Sequence, residues 1–479
     1  MSVLKNIEPC SVFNYFEQLC SIPHGSGNTK QISDFLVSFA KDHKLEYYQD
    51  SLNNVIIIKE ASPGYENSEP VILQGHMDMV CEKAPGCPKN METDGLDICV
   101  DGDSIYAEGT TLGGDDGIAV AMGLAVLASD TLEHPRIELV VTVDEEIGMT
   151  GAFGIDLSML KGRRMINIDS EAEGVFTVSC AGGMSAKCML PVNRKEFSGE
   201  IYKIAIGGLK GGHSGAEIDK GRANADILMG RVLYALMQEC DFRLVSVEGG
   251  LKENAIPVSC TAEVSCSDFS AIEKICREAE STFRNEYASP DGGITISVSP
   301  CSSSTLPMDE VSTGNAVTLL MCAPNGIQEM SCDIPGLVQT SLNLGILKTE
   351  DNCLSADFSI RSSIASQKKL LAERLRLLCE SIGADIRISG DYPGWQYMPN
   401  SPLREIMCEV FEEQYGYSPV IEAIHAGLEC GLFSDKLPGL DCISIGPDIT
   451  DIHTFREQLH IASVERTWKL LIETLKRLK

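Results

Sequence analysis

The sequence predicts an α/β fold, a mixed sheet with helices on both faces, interrupted by an inserted α+β domain built from a duplicated unit. Three observations carry this. Buried, strand-like runs alternate with helical segments through the opening part of the chain, and each run ends on its C-terminal side in polar residues. Near Gly183 the order changes to a set of strands and helices that recurs after a Ser-rich linker at Ser302–Thr305. Around Gly394 the first pattern returns. The expected parts are therefore 1–182 and 394–479 for the α/β domain and 183–393 for the insert.

Taken in order, Pro9 to Leu19 and Thr29 to Ala40 carry apolar residues at helical spacing, with a turn-rich loop between them that holds His24. That histidine is expected to be structural, with metal ligation as the alternative. Val55 to Lys59 reads as a strand, and Pro70 to Val80 as a second one that ends in His76-Met-Asp78. Side chains two apart on an extended segment point the same way, so His76 and Asp78 can serve one locus. The acidic stretch Cys81–Gly109 offers only a hairpin at Asp101-Gly102. Gly113-Gly-Asp-Asp-Gly117 then runs into an apolar helix, Ile118 to Ala128. Glycine before a helix can cradle phosphate, but Asp115 and Asp116 would repel it, and a cation is the better partner. Ile137 to Val143 is a buried strand leading into Asp144-Glu145-Glu146, and Arg164 to Asp169 ends in another carboxylate.

In the insert, strand Tyr202–Ile206 leads to Gly211-Gly-His-Ser-Gly215 and a helix near Asn224–Gln238. Strands Arg243–Val247 and Ile256–Val264, helix Ala271–Tyr287 and strand Ile294–Val298 follow. The order recurs in helix Ala316–Cys322, strands Val338–Leu347 and Leu354–Ile360, and helix Lys368–Ile382. The α/β pattern then resumes with helix Leu403–Tyr415, strand Val420–Ala423, the loop His425–Gly431, strand Cys442–Ile445, His453 and a closing helix, Val464–Leu478.

Composition narrows the class. The 479 residues are 43% hydrophobic and 23% charged, which is ordinary for a globular protein. A formal charge of −30 argues against nucleic acid or an anionic membrane as partner. Met1–Glu8 lacks a basic region followed by an apolar core, so no signal peptide is expected, and no apolar window is long enough for a membrane span. The 19 cysteines are odd in number, scattered and without Cys-x-x-Cys spacing, which predicts reduced thiols in a cytoplasmic protein.

The recurring endings are His76 with Asp78, Asp115 with Asp116, Glu145 with Glu146, Asp169 and His453. Each has a plain explanation alone. Together they bring imidazoles and carboxylates from separate strand ends, which suits a site for two metal ions. One carboxylate must bridge such ions, and another must stay free to take a proton from water. Adjacent glutamates suit that division.

These motifs, in this order, resemble a family of zinc-dependent exopeptidases that includes carboxypeptidases, aminoacylases and dipeptidases. Gln74–Val80, Asn167–Glu171, Ile424–Glu429 and the large insert are most similar to its aminoacyl-histidine (Xaa-His) dipeptidase branch. One stretch departs: the family usually has Ser-Pro-Asp-Glu after the last histidine, and here Thr454-Phe-Arg-Glu457 follows His453.

The resemblance implies two zinc ions, replaceable by cobalt or manganese, with Asp115 as bridge. His76 and Asp169 would complete one site, Glu146 and His453 the other. Asp78 would orient His76, and Glu145 would be the general base. The insert would act as a lid in which His213 stabilises the oxyanion, with a structural turn histidine as the alternative. Asn254, Arg361 and Gly427 would hold the substrate's carboxylate and backbone. The bridging aspartate precedes a cis peptide in the family, here Asp115–Asp116. The implied activity is hydrolysis of dipeptides, Xaa-His among them. An aminoacylase, a tripeptidase and a non-catalytic peptide-binding relative stay open as alternatives, as does a homodimer against a single chain.

Overall fold

The computed structural model describes residues 3–479, so Met1 and Ser2 of the N-terminal stretch lie outside the described residues. The chain forms a mixed α/β fold in two compact units. The first holds the chain up to Ser179 with Tyr397–Ala423 and Leu428–Lys479. The second holds Cys180–Gln396 and takes back Ile424–Gly427. Within it Cys180 and Trp395 exchange backbone hydrogen bonds, both 3.0 Å, and Ala181 N–H donates to Ile424 O at 3.1 Å.

In chain order the first unit supplies β1 (Glu46–Gln49), β2 (Val55–Lys59), β3 (Val71–His76), β4 (Ile98–Asp101), β5 (Ser104–Ala107), β6 (Ile137–Thr142), β7 (Arg164–Asn167) and β8 (Val175–Cys180). The insert supplies β9 (Gly182–Pro191), β10 (Glu200–Gly207), β11 (Gly212–His213), β12 (Phe242–Gly249), β13 (Ala255–Ile256) and β14 (Cys260–Cys266). It continues with β15 (Thr295–Cys301), β16 (Gly326–Met330), β17 (Val338–Thr349), β18 (Cys353–Ser362) and β19 (Asp385–Tyr392). After the return come β20 (Val420–Ile424), β21 (Asp441–Ser444), β22 (Ile449–Thr450) and β23 (Gln458–His460).

The main sheet of the first unit runs β1-β2-β6-β3-β7-β21-β8-β20. Its centre, β6-β3-β7-β21, is parallel, and β1, β2 and β8 pair antiparallel with their inner neighbours. Every residue of β3 and β6 is buried, as parallel strands covered on both faces require. The helix Gly114–Ala128 packs on β3 and on the helix Cys10–Cys20. It comes close enough that a Cβ on Gly75 would lie 2.7 Å from the Ala119 methyl and 2.4 Å from Asp116 Oδ2. In such sheets the site forms beyond the C-terminal strand ends. There β3 ends at His76, β6 leads into Asp144-Glu145-Glu146 and β7 into Asp169. A separate four-stranded sheet, β22-β23-β5-β4, contains the hairpin read at Asp101-Gly102 and holds the loop that carries His453.

The second unit is built on a sheet of order β15-β10-β14-β12-β17-β18-β9-β19, with β16 paired to β17. Read outward from the antiparallel β12–β17 contact, the two halves match: β12, β14, β10, β15 on one side and β17, β18, β9, β19 on the other. The helices Ala225–Glu239 and Phe269–Glu286 belong to the first half, Glu310–Cys322 and Ala365–Ile382 to the second, and they pack side by side. The duplication is nested rather than tandem. β9 precedes the whole first half in sequence yet completes the second. The stretch Ile256–Val264 is not one strand, because Pro257 has no N–H to give a ladder and the chain breaks between β13 and β14. Among the described residues no helix is long and apolar enough to cross a membrane, and none of the 19 cysteines is joined in a disulfide.

Candidate active site

His76 is fixed first. Its Nδ1 lies 2.9 Å from the Asp78 backbone carbonyl and 3.4 Å from Asp78 Oδ1. A carbonyl only accepts, so Nδ1 carries a hydrogen, and in the neutral ring Nε2 presents a bare lone pair. That lone pair faces Asp115 Oδ1 at 3.1 Å and Asp169 Oδ1 at 3.5 Å. On the other side of Asp115, Oδ2 lies 3.1 Å from His453 Nε2, and His453 Nε2 lies 2.9 Å from Glu146 Oε1. Glu146 Oε1 is nevertheless buried without a well-formed hydrogen bond. Carboxylates converging on two imidazole nitrogens, with a buried Glu146 oxygen left without a partner, form a donor set that a cation would satisfy. The nitrogen and oxygen donor set suits zinc.

The cluster is closely knit. Ligand atoms of Asp115, Glu146 and His453 lie within 4.8 Å of one another, as do those of His76, Glu145 and Glu146. Asp116 also comes within that distance of His76 and Asp169, but its Oδ2 accepts the His76 backbone N–H at 3.2 Å. The Asp115–Asp116 peptide is cis. His453 sits in the left-handed region with φ 59°, in the seven-residue loop between β22 and β23.

Left to one another, these groups perturb each other strongly. Burial would raise Asp115, but the His453 and His76 rings at its two oxygens hold it well below the usual carboxylate range. Burial opposes protonation of His76, yet Asp115, Asp169 and Asp78 push it well above its ordinary value. The Asp115 and Glu146 carboxylates raise His453 to about 10. Burial, with Asp169, Glu429 and Glu146 nearby, pushes Glu145 up to about 9. A carboxylate in such surroundings is a strong base.

Asp78 does more than touch His76. Its carboxylate accepts Ser26 O–H at 2.8 Å and the backbone N–H groups of Glu145 and Glu146 at 3.1 and 3.4 Å. His24, by contrast, turns Nδ1 onto the Ile22 carbonyl at 2.6 Å, in its own loop.

Two further buried carboxylates, Glu429 and Glu457, support the site from outside the candidate ligand set. Glu429 is fully buried and accepts from Gln74 Nε2 and Thr142 Oγ1, both 2.6 Å, beneath the strand ends. Burial pushes it up to about 8, and its Oε1 has no partner. Glu457 accepts the backbone N–H groups of Leu112, Gly113, Gly114 and Asp115. It is the one residue of Thr454–Glu457 that keeps the Ser-Pro-Asp-Glu pattern, and that retention, four residues after His453, is the signal in the sequence.

The second unit gathers the remaining candidates. His213 Nδ1 accepts from Gly215 N–H at 3.2 Å and Ala216 N–H at 3.0 Å, so the neutral ring carries its hydrogen on Nε2. Burial lowers its pKa, with Arg361 adding to the effect. Around Gly215, an added Cβ would meet His213 Cε1 at 2.9 Å and Arg361 Nε at 3.1 Å. Arg361 Nη1 donates to Tyr392 Oη at 3.3 Å, while its buried Nε has no partner. A Cβ on Gly427 would lie 2.9 Å from the same tyrosine ring. Asn254 is reached through its carbonyl, which accepts Ser214 N–H at 2.9 Å.

The sequence profile of peptidase family M20/M25/M40 matches residues 72–477. The cytosol non-specific dipeptidase of Escherichia coli (strain K12) is 37% identical, covering 100% of this chain and 99% of that protein. The crystal structure of aminoacylhistidine dipeptidase from Vibrio alginolyticus superposes with a TM-score of 0.96 at 35% identity, over 99% of this chain and 98% of the other. Aminopeptidase PepT from Bacillus cereus ATCC 10987 shares the fold at a TM-score of 0.58 and 14% identity, over 98% and 99% of the two chains.

Proposed function

The chain belongs to peptidase family M20/M25/M40, and on that premise we propose that it is a cytoplasmic dizinc dipeptidase whose substrates include Xaa-His. The observation that carries the reading is Asp115, whose two oxygens face the Nε2 atoms of two different histidines. The names of the two relatives that match the chain end to end support the dipeptide substrate.

His76, Asp169 and Asp115 would hold one ion, and Glu146, His453 and Asp115 the other. Two bound zinc ions supply Lewis acidity toward the attacking water and the scissile carbonyl. Glu145 takes the proton of the water on its carboxylate and returns it to the leaving amine. Asp78 holds His76 in one tautomer and fastens the backbone of both glutamates. The second unit would serve as the lid. His213 presents an N–H at Nε2, the donor that a developing oxyanion needs. The unpartnered Nε of Arg361 is available to a substrate carboxylate, with Asn254 and Gly427 beside the substrate backbone.

The test is metal content and turnover on one purified sample. Two zinc ions per chain should accompany hydrolysis of dipeptides, with cobalt- and manganese-loaded protein also active. Light scattering on that sample reads whether one chain or two is present. Faster turnover of N-acyl amino acids or tripeptides would replace the dipeptidase reading. Metal-loaded protein inert toward all three classes would make the chain a peptide-binding relative.

A further inference from the structure

Glu457 lies at the end of the loop that begins beyond β22 and carries His453. It is 2% exposed. Its Oε2 accepts from Leu112 N–H at 2.8 Å and Gly113 N–H at 3.0 Å, and its Oε1 from Gly114 N–H at 2.8 Å and Asp115 N–H at 3.3 Å. Four donors match the full accepting capacity of an ionised carboxylate. They belong to the turn Leu112–Asp115, where Gly113 takes a left-handed φ of 68° and the backbone stays non-helical through Asp115 and Asp116 before the regular helix. Gly113 offers no side chain to satisfy these N–H groups, and the carboxylate that does so lies more than 340 residues away in sequence.

We propose that Glu457 is a positioning residue that fixes the place of Asp115 relative to His453. One carboxylate fastens the loop of one candidate ligand to the backbone of another. Because Asp115 faces both His76 and His453, its position bears on both ions at once. A glutamine could not replace it, since an amide has one accepting oxygen and would turn its NH2 group onto N–H donors. The inference rests on the metal-centre reading given above.

Both zinc dissociation constants, measured by chelator competition, test it in wild-type protein, Glu457→Gln and Gly114→Ala. Glu457→Gln should raise both constants, by roughly 10–100-fold, as loss of a group that orients metal ligands does. Gly114→Ala leaves every ligand and Glu457 itself in place, but its methyl would meet Glu457 Oε1 at 3.2 Å, with Ile449 Cγ2 and Leu459 Cβ at 3.6 Å. The carboxylate must give way, and both constants should rise by a smaller factor. A residue that merely fastens this turn would lower the melting midpoint of the metal-free chain and leave both constants at wild-type values. That result overturns the inference. If Glu457→Gln does not fold, Gly114→Ala decides alone, and unchanged constants in it are equally fatal. Wild-type protein that binds no zinc in the same titration would instead sink the metal-centre reading, before any variant is compared.

Discussion

Asp78 Oδ1 accepts the backbone N–H of Glu145 at 3.1 Å, so the residue that fixes the tautomer of His76 also holds the candidate base. The β3 end and the β6 end are thereby tied through one buried carboxylate. Asp78→Ala should weaken zinc binding by roughly 10–100-fold and lower turnover as well. Chelator competition and steady-state rates check this. Zinc affinity equal to wild type would reduce Asp78 to a packing residue.

The adjacent glutamates should separate cleanly. Glu145→Gln is expected to keep two zinc ions and lose nearly all turnover, since an amide cannot take the proton. Glu146→Gln should lose zinc instead, because Glu146 Oε1 is the oxygen facing His453. Elemental analysis after dialysis, paired with kcat, distinguishes them. Equal metal loss in both would refute the assignment.

His213→Ala should leave fold and zinc content intact while kcat falls by on the order of 10²–10³ and KM moves little. The expectation follows from the hydrogen on Nε2, which the two backbone donors at Nδ1 enforce. A change confined to KM would make His213 a substrate-positioning residue. Wild-type kinetics would return it to a turn histidine.

His425 gives a pH prediction independent of metal. It is buried, with Nε2 2.7 Å from Ser341 Oγ, and burial followed by Arg361 and His213 lowers its pKa to about 4. The unfolded chain takes up this proton near pH 6.5, before the folded one does. Stability is therefore intact above about 6.5 and declines as pH falls toward about 4, by about 3 kcal/mol in full. Urea midpoints read from Trp395 fluorescence in a Trp468→Phe background should show this decline, and His425→Gln should flatten it. An equal slope with and without the histidine would contradict it.

The parts of the fold readable in the sequence are those whose signal is local. The apolar runs at Val71, Ile137 and Arg164 became β3, β6 and β7, neighbours in one sheet, because strands buried on both faces need little but apolar side chains. β9 and β19 were not anticipated. β9 opens with Gly182-Gly183 and β19 is an exposed edge strand, and both are strands chiefly because they pair with each other and, for β9, with β18. The regular helix begins near Ile118, as expected, since Asp115 and Asp116 have non-helical backbone angles, but the turn before it is held by Glu457 from the far end of the chain. A contact of that span has no periodicity to betray it. Glu429 was visible within a motif, but its place under the strand ends depends on Gln74 and Thr142, hundreds of residues before it.

The nested order of the second unit sets a schedule for biosynthesis. β9 is complete at Pro191, while its partner β18 begins only at Cys353. At typical elongation rates the ribosome needs roughly 10–30 s to make the intervening stretch. Throughout that interval β9 has no ladder to join, although β10, β12, β14 and β15 can already assemble their half of the sheet. That half in turn exposes the free edge of β12 until β17 arrives. Nascent chains therefore carry two unpaired strand edges at once, the kind of surface that holding chaperones engage and that associates between chains when synthesis outruns them.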